Sequence, residues 1–473
     1  MLHELKQTLE SPLVEMETGG PSSERRRRRR ERTGEDEEGV TDRISALPDA
    51  VLGDIISLLP TKEGARTRFL ASRWRHLWCS APLNLDCRDL VEREGELAGV
   101  VSRILSSHQG PGRRLCIPDG SRSYGAATVN AWLQSPAVGN LQELCLSYPT
   151  DNQSPLPPLS ESFLRFSTTL RVATIGHCHL LNTTVQGLQL PQLKKLKLEE
   201  IRISECSLQH MIAECPALEC LLITHSFGFC RVRINSVSIR SIGVRAECYV
   251  TDEPKFGELI IQNAPYLEKF LHLDLLCSDL HVSVIFAPKL ETLRCHSDTS
   301  TKISFGSTVI QGLHIDSLTT VVRSIKILSV DMGTLSLDTI IDFMTCFPCL
   351  EKLYIQSYNS GSNNWWHSKY KNLIKCHDIR LKKIVFKMYC GTKSQVSFVT
   401  FFVLNVPALE SMTLRIEANN YNEGFLAKHR RKLQLDNRAS RGARFQFTTD
   451  KCVRTIWDIK DAHDLDLTDP FAC

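Results

Sequence analysis

Residues 191–198 read PQLKKLKL, and this pattern of a proline followed by spaced apolar residues returns five times further along the chain. The later copies begin at Pro216 (PALECLLI), Pro265 (PYLEKFLH), Pro288 (PKLETLRC), Pro348 (PCLEKLYI) and Pro407 (PALESMTL). Successive prolines are 25, 49, 23, 60 and 59 residues apart. These spacings are near one, two, one, two and a half, and two and a half units of about 24 residues, which predicts a repeat architecture. Degenerate copies are expected to fill the longer gaps.

The period falls within the range of leucine-rich repeats, and the Leu-x-x-Leu-x-Leu spacing predicts a short strand in each copy. Alternate residues of a strand point to opposite faces, and each repeat buries its apolar face only against its neighbours. The residues predicted to form this buried ladder are Leu193, Leu196 and Leu198 in one copy, Leu350, Leu353 and Ile355 in another, and Leu141, Leu144, Leu146, Leu170, Val172 and Ile175 in earlier copies without the proline. The residues between them, such as Lys195, Lys197, Lys352 and Tyr354, are predicted to contact a partner.

Upstream of the repeats, residues 42–86 read DRISALPDAVLGDIISLLPTKEGARTRFLASRWRHLWCSAPLNLD. Asp49 is predicted to cap a helix that Pro60 ends, and Thr61 to cap a second helix running through Trp78. Two such short antiparallel helices cannot bury all their apolar side chains against each other. The excess predicts a partner or a packed neighbouring domain, and a helical cap on a larger core explains it equally well.

This stretch resembles the F-box of plant F-box proteins. The resemblance is carried by the segments Leu47-Pro48-Asp49, Leu58-Leu59-Pro60-Thr61-Lys62-Glu63, Arg73-Trp74-Arg75-His76-Leu77-Trp78 and Pro82-Leu83-Asn84-Leu85-Asp86. It implies docking on the Skp adaptor of a cullin-RING ubiquitin ligase. The adaptor-binding residues that it implies are Leu47, Pro48, Leu52, Ile55, Leu59, Pro60, Ala65, Leu70 and Trp74. Two positions depart from the pattern: Ala71-Ser72 replaces the usual Ser-Lys, and Gly64 lies in a helix at a cost of about 1 kcal/mol relative to Ala.

The C-terminal part also resembles a known family. Residues 376–417 read as a strand, a glycine-containing loop, an amphipathic helix and a further strand, and they resemble the FBD domain of plant F-box and leucine-rich-repeat chains. RASRGARFQF from Arg438, and the tail from Asp464 to Phe471, are similar to grass members of that family. The expected fold class is α/β: an F-box helical hairpin at 41–87, a leucine-rich-repeat solenoid (horseshoe) at 110–375, an FBD domain at 376–450 and a tail at 451–473.

The composition and charge of the chain limit its possible partners and its location in the cell. The 473 residues carry a net charge of only +4, which argues against nucleic acid as a partner. Residues 1–40 hold blocks of like charge and are expected to be disordered. Within them, Arg25, Arg26, Arg27, Arg28, Arg29 and Arg30 form either a nuclear import signal or a solvated tail. The eighteen cysteines are spread along a chain without a signal peptide, which indicates mostly reduced thiols, no membrane partner, and a location in the nucleus and/or cytoplasm.

Catalytic motifs are weak. Gly391-Thr392-Lys393-Ser394 lacks the other glycines of a phosphate-binding loop, and Cys346 and Cys349 have redox spacing but coincide with a repeat turn. If His177-Cys178-His179 forms a strand, its side chains face opposite sides and cannot ligate one zinc ion. Trp365 and Trp366, in a polar insertion, are candidates for a binding hot spot, although loop packing explains them as well.

The sequence therefore predicts a non-catalytic substrate-recognition subunit of an SCF-type ubiquitin ligase, without cofactor or metal. Its partners would be the Skp adaptor, through it a cullin, and an unknown protein substrate held by the repeats. The main alternative is a leucine-rich-repeat interaction scaffold without ligase activity. Two further alternatives are an enzyme that depends on Cys346 or His177, and nucleic-acid binding through the arginine run, which would weaken steeply with salt.

Overall fold

The computed structural model describes Ile44 and residues 46–90, 96–118, 124–149, 155–246, 252–274, 279–296, 301–317, 320–359, 379–449 and 459–471. The chain divides into two compact units. Unit 1 is Met1–Cys116 with Ala131–Leu141, and unit 2 is Ile117–Asn130 with Gln142–Cys473. The arginine run Arg25–Arg30, the predicted disordered tail 1–40 and the Trp365-Trp366 insertion lie outside the described residues.

The N-terminal helices of unit 1 are shorter than the sequence suggests. They are α1 (Asp49–Ser57), α2 (Thr61–Arg66), α3 (Ser72–Ser80), α4 (Leu97–Ser107) and α5 (Ala126–Gln134), the last of which extends across both units. Pro48 and Pro60 occupy the N-cap positions of α1 and α2 with extended backbone, so the predicted caps Asp49 and Thr61 are instead the first helical residues. The predicted second helix is interrupted by a 3₁₀ turn at Thr67–Phe69, and α3 follows it.

Unit 2 is built on one long ladder of parallel strands, the main sheet. Two more strands, β1 (Leu83–Asp86) and β2 (Gly112–Ile117), pair in parallel before it. The main-sheet strands in unit 2 are β3 (Glu143–Ser147), β4 (Val172–Gly176), β6 (Lys195–Glu199), β8 (Cys220–Thr224), β10 (Ser241–Arg245), β12 (Lys269–His272), β14 (Thr292–His296), β18 (Ile327–Thr334), β19 (Lys352–Asn359), β20 (Lys383–Lys387), β21 (Ser411–Arg415) and β22 (Arg444–Thr448).

The predicted leucine ladder is confirmed by burial. Leu193, Leu196, Leu198, Leu350, Leu353 and Ile355 are all buried, as are Leu141, Leu144, Leu146, Leu170 and Ile175. Val172 was wrongly predicted for this ladder: it is only half-buried, because it pairs with Lys195 on the other face of the sheet. The neighbouring residue Ala173 takes the core position, in register with Leu196.

The strands also explain the uneven proline spacing. Among the described residues, each long gap holds one main-sheet strand without a preceding proline: β10 after Pro216, β18 after Pro288 and β20 after Pro348. In the part of the chain that the structure describes, each long gap therefore holds two main-sheet strands in place of the expected two or two and a half units. The ladder also continues past the predicted boundary at residue 375, since Lys352 of β19 is in register with Lys383 of β20, and Lys383 with Ser411 of β21.

The elements that return the chain from one main-sheet strand to the next change type along unit 2. In the first repeats they include the short strands β5 (His179–Leu180) and β7 (Arg202–Ile203) and the helices α6 (Asn182–Gln186) and α7 (Glu205–Ala213). In the middle they form a second sheet of β9 (Arg231–Asn235), β11 (Glu258–Asn263), β13 (His281–Val284), β15 (Lys302–Phe305), β16 (Thr308–Gln311) and β17 (His314–Ser317). Towards the C-terminus they are again helices, α8 (Leu337–Cys346), α9 (Lys393–Asn405) and α10 (Glu423–Lys432). The described residues contain no helix that is both long and apolar enough to cross a bilayer.

Candidate interaction surfaces

Arg73 fixes the start of α1 in unit 1. From α3 its guanidinium donates to the Asp49 carboxylate at 2.7 Å and to the Leu47 carbonyl at 2.6 Å. The hydroxyl of Thr61 donates to the Asn84 carbonyl at 3.0 Å, which ties α2 to β1. The Leu47-Pro48 step is therefore held by charge-assisted hydrogen bonds at the molecular surface.

The nine predicted adaptor-binding residues fall into two groups. Leu52, Ile55, Leu59 and Trp74 are buried within the chain and support the packing of the helices, whereas Leu47, Pro48, Pro60, Ala65 and Leu70 are partly or fully exposed. Three large apolar side chains that the sequence did not single out for this surface are exposed: Val51, Leu58 and Phe69, with 42%, 58% and 88% of their area accessible. Their position on α1 and on the turn after α2 puts them close in sequence to the accessible predicted residues.

A second surface is one face of the main sheet in unit 2. We call it the lysine face, because it carries Lys195 and the residues in register with it. Its first row is Lys195, Cys220, Ser241, Lys269, Thr292, Ile327, Lys352 and Lys383. Its second row, two residues further along each strand, is Lys197, Leu222, Gly243, Leu271, Arg294, Ser329, Tyr354 and Val385.

The chain's own C-terminal segment, residues 459–471, lies on the lysine face. Asp466 forms an ion pair with Lys195 at 2.7 Å, and Asp469 accepts hydrogen bonds from Lys352 at 2.9 Å and from the Tyr354 hydroxyl at 2.8 Å. The positions predicted to contact a partner therefore contact this segment. The fourth such position, Lys197, is buried and pairs with Glu199 on its own strand.

Apolar contacts anchor the same segment. Ile459, Ala462, Leu465 and Phe471 share one buried cluster with side chains of the lysine face. The lysine-face members, with the adjacent Leu273, are Cys220, Leu222, Leu271, Tyr354 and Val385. No local sequence pattern indicates this contact, because strand and segment are separated by some 270 residues, as in the pair Lys195–Asp466.

The electrostatics of the segment follow from these contacts. The hydrogen bond from Lys195 lowers the pKa of the Asp466 carboxyl, and its charge and that of Lys269 act in the same direction. Burial raises the pKa of the Cys220 thiol to about 11 and also raises the pKa of the Tyr354 hydroxyl, to which the Asp469 carboxylate adds. At neutral pH the Cys220 thiol and the Tyr354 hydroxyl of the lysine face therefore stay protonated and unreactive.

A buried polar cluster surrounds Arg294, which is in the second row of the lysine face. The Arg294 guanidinium, which has no accessible surface, donates to the Asp331 carboxylate at 2.5 Å and to the His272 carbonyl. His272 and Asp274, also buried, contact each other at 2.8 Å. Buried charges require such partners, since an unpaired charge away from water is costly.

The weak catalytic motifs have structural roles. Burial raises the pKa of the Cys346 thiol to about 11. The amides of Cys390 and Gly391, which a phosphate would need, donate instead to the Gln395 side-chain oxygen at 2.8 and 2.9 Å. His177 is not in a strand, contrary to the geometry assumed for it: its φ is 53°, and its ring contacts Glu200 at 3.2 Å. Across the described parts of the chain, no three His, Cys, Asp or Glu side chains are placed to hold a metal ion.

Comparison with known proteins assigns families to two parts of the chain. Residues 129–355 match the family model "FBD-associated F-box protein At5g56370, LRR repeats", and residues 369–414 match the model "FBD". The F-box/FBD/LRR-repeat protein At5g22660 of Arabidopsis thaliana is 28% identical over 235 residues, which are 48% of this chain and 51% of the relative. The putative F-box/FBD/LRR-repeat protein At2g05300 of the same plant is 24% identical over 443 residues, which are 82% of this chain and 93% of the relative.

The chain spans about half the length of the first relatives that it matches, and most of the length of others. A parallel ladder of spaced leucines that continues into an FBD segment defines a leucine-rich-repeat protein of α/β class. The two family matches and these relatives together support a plant F-box/FBD/LRR-repeat protein.

Proposed function

We propose that this protein is the substrate-recognition subunit of an SCF-type cullin-RING ubiquitin ligase. Residues 41–87 would form the F-box that binds the Skp adaptor and, through it, a cullin. The repeats, with the curvature of a horseshoe, would hold a protein substrate. The names of the relatives as F-box proteins support this proposal. The location that we propose is the nucleus and/or the cytoplasm, with Arg25–Arg30 as the import signal.

The observation that carries the proposal is the uncovered apolar surface of the N-terminal helices. Val51, Leu58 and Phe69 expose much of their side chains, and the predicted step Leu47-Pro48 directly precedes the helix that carries the first of them. Burying one such side chain is worth roughly 1.5–3 kcal/mol. Contiguous exposed apolar surface in a soluble protein marks an interaction site. A helical adaptor that covered these residues would recover that free energy on binding.

The proposed mechanism is tethering. The chain would contribute no catalytic residue, because its role is to hold a substrate near the ubiquitin-loaded enzyme. Holding two reactants in one complex turns a bimolecular encounter into an effectively unimolecular step. The accepting lysine would belong to the substrate, so substrate choice would depend on the repeats alone.

The test is adaptor binding by the full chain. Purified plant Skp adaptor should be retained by the wild-type protein and lost from the double variant Leu47→Ala/Pro48→Ala, and also from Leu58→Ala/Phe69→Ala. Val237→Ala is the matched control, because Val237 is an apolar side chain with 67% of its area exposed in unit 2. Circular dichroism of each variant verifies folding. Failure of the wild-type chain to retain the adaptor would contradict the proposal.

The second candidate is an interaction scaffold that binds proteins through its repeats without promoting ubiquitination. The ion-paired and apolar lysine face, which already binds a peptide segment, favours protein binding in either case. A reconstituted ligase distinguishes the two: ubiquitin transfer to a captured protein supports the first, and adaptor binding without transfer to any captured protein supports the scaffold.

A further inference from the structure

The lysine face binds residues 459–471 as a groove binds a peptide. The segment has one lysine and four aspartates, a net charge of −3 (1 − 4), and it lies on lysines of three different repeats. We propose that the lysine face is a receptor surface for acidic peptides of other proteins, and that residues 459–471 occupy it as a built-in competitor. A partner peptide would carry a buried apolar residue followed by two spaced aspartates, like Leu465, Asp466 and Asp469 of the segment itself.

The charges of the two surfaces match at defined points. Lys195 binds the Asp466 carboxylate, Lys352 binds the Asp469 carboxylate, and the Lys269 ammonium donates to the backbone carbonyls of Leu465 and Asp466 at 3.2 and 3.4 Å. Lys195, Lys269 and Lys352 are all in the first row of the lysine face. Since Lys269 binds main-chain atoms, that contact is available to peptides of other sequence.

An apolar socket separates the charged contacts. Leu465, which has no accessible surface, lies against Gly243, where a Cβ atom would be 3.1 Å from the nearer Leu465 methyl carbon. At the other end, the ring of Phe471 lies 5.3 Å from the ring of Tyr354. A glycine at this place in the strand leaves room for a branched side chain to enter, so the socket selects an apolar residue immediately before the first lysine-bound aspartate.

Room beside the segment allows a second peptide to begin binding before the first has left. A cleft of about 610 Å³ adjoins it, with Lys269, Ile327 and Lys352 on the lysine face and Asp466 and Thr468 on the segment. The glutamates that also line the cleft each pair with a basic side chain, in the pairs Lys194–Glu219, Arg240–Glu268, Lys326–Glu291 and Lys382–Glu351. The lysines of the first row are therefore left to bind acidic groups of the segment or of its competitor.

The experiment separates the segment from its tether. A protease recognition sequence replaces part of residues 450–458 in the full chain, so that the segment can be cut from the rest of the protein. The affinity of a fluorescent peptide of residues 459–471 for the cut and the uncut protein is then measured by fluorescence anisotropy. We expect the cut protein to bind the peptide at least about tenfold more tightly, because a tethered competitor has a high effective concentration. No adaptor is present, so the outcome is independent of the proposed ligase function. If the partner protein that carries the acidic peptide is a ligase substrate, that identification rests on the proposed function.

Peptide variants test the chemistry. Leu465→Ala and Asp466→Lys/Asp469→Lys should each weaken binding at least about tenfold, whereas Leu467→Ala should bind like wild type, because Leu467 is exposed. Equal binding by all peptides, or equal displacement by polyaspartate, would show a contact of charge alone and overturn the proposal. Equal binding by cut and uncut protein would overturn it too.

A variant of the uncut chain covers the case in which cutting unfolds the protein. The full-length double variant Asp466→Lys/Asp469→Lys holds its own segment less firmly, so it should bind the wild-type peptide more tightly than the uncut wild type does. Leu467→Ala in the full chain is the control and should leave peptide binding unchanged. If the charge variant binds the peptide no more tightly than the uncut wild type does, the segment is a permanent part of the fold and the proposal is wrong. Association of chains with each other in place of peptide exchange, seen as a mass that grows with concentration, would also overturn it.

Discussion

At the scale of single residues, Gly64 shows why a residue that is unfavourable in a helix is nevertheless retained. It lies inside α2, where alanine would be intrinsically better by about 1 kcal/mol. A Cβ atom at this position would be 2.7 Å from ring carbon Cζ3 of Trp78, which is buried. The close approach of the indole explains the departure from the F-box pattern that the sequence showed here.

We therefore expect Gly64→Ala to destabilise unit 1, by about 1–3 kcal/mol, because overpacking outweighs the gain in helix propensity. Gly99→Ala is the matched control. Gly99 lies in α4, also in unit 1, and a Cβ there meets nothing within 4 Å, so that variant should gain up to about 1 kcal/mol. Urea unfolding followed by tryptophan fluorescence measures both. Shifts of the same sign in the two variants would contradict this account.

His429 makes the stability of unit 2 depend on pH. Its ring is buried, stacks on Phe425 at 4.0 Å and accepts from or donates to the Tyr389 hydroxyl at 3.0 Å. Burial lowers the pKa of His429, and Lys432 and Lys428 add to the effect. Because the pKa in the folded state is below that of the unfolded chain, protonation favours unfolding. The stabilising contribution is complete above the unfolded value of about 6.5 and is lost as the pH falls from there towards the folded pKa.

The corresponding prediction compares His429→Gln with the wild type. The wild-type urea midpoint should fall between about pH 7.5 and about pH 5.5, and the variant should fall less, because it lacks this titrating group. The pKa values of His108 and His179 are also lowered, so part of the slope will remain in both proteins. Identical slopes would rule out a contribution from His429.

At the scale of elements, β14 and β18 are joined by two ion pairs of opposite character. Arg294 and Asp331 are buried and hydrogen-bonded, whereas Glu291 and Lys326, just before the same two strands, leave 46% and 45% of their side chains exposed. The two pairs differ in the stability lost when one partner is removed, because removing a partner of the buried pair leaves an uncompensated charge away from water. An exposed pair is weakened by solvent screening and contributes little.

We expect Asp331→Asn to cost roughly 3–5 kcal/mol of stability. Glu291→Gln, the control on the same strand pair, should cost less than about 1 kcal/mol. Replacing both buried partners with apolar residues, as in Arg294→Met/Asp331→Leu, should restore much of the loss because no charge is left buried. The free energies of unfolding of the variants are measured by denaturant unfolding at one pH. If Asp331→Asn loses no more stability than Glu291→Gln, burial is not the cause of the difference.

The sequence predicted the main sheet well because its strands have a local signal. Leucine or another apolar residue at every second or third position defines the core side of each strand, and among the predicted ladder residues this pattern failed only at Val172. The second sheet was missed, although its strands alternate in burial, as RVRIN at Arg231–Asn235 does. The repeat motif does not determine which type of element returns the chain after each strand, and helices and strands both serve as the returning half of a repeat in this protein.

At the scale of the whole molecule, the C-terminal segment was predictable in composition but not in position. Its aspartates and leucines are evident in the sequence, yet a stretch this short has no periodicity that assigns it to a surface. Its location depends on pairs such as Lys352–Asp469, which join residues 117 positions apart. The candidate site is therefore a product of the tertiary fold: the sequence predicted which strand positions would bind something, and the structure shows that these positions bind the chain itself.

The last prediction concerns the socket at Gly243. Gly243→Phe in the full chain would place an aromatic ring in the space that Leu465 occupies, because even a Cβ atom comes within 3.1 Å of that leucine and 2.9 Å of Leu222. The segment should then leave the lysine face and become accessible to carboxypeptidase, while the core face of β10, with Ile242 and Val244 buried, keeps the strand in the sheet. Thr413→Phe is the control, since Thr413 of β21 is in register with Val385, the last residue of the second row, and is not a member of the cluster around the segment. Only Gly243→Phe fills the space beside Leu465. If carboxypeptidase digests the segment equally fast in Gly243→Phe and Thr413→Phe, the space at Gly243 is not what holds the segment.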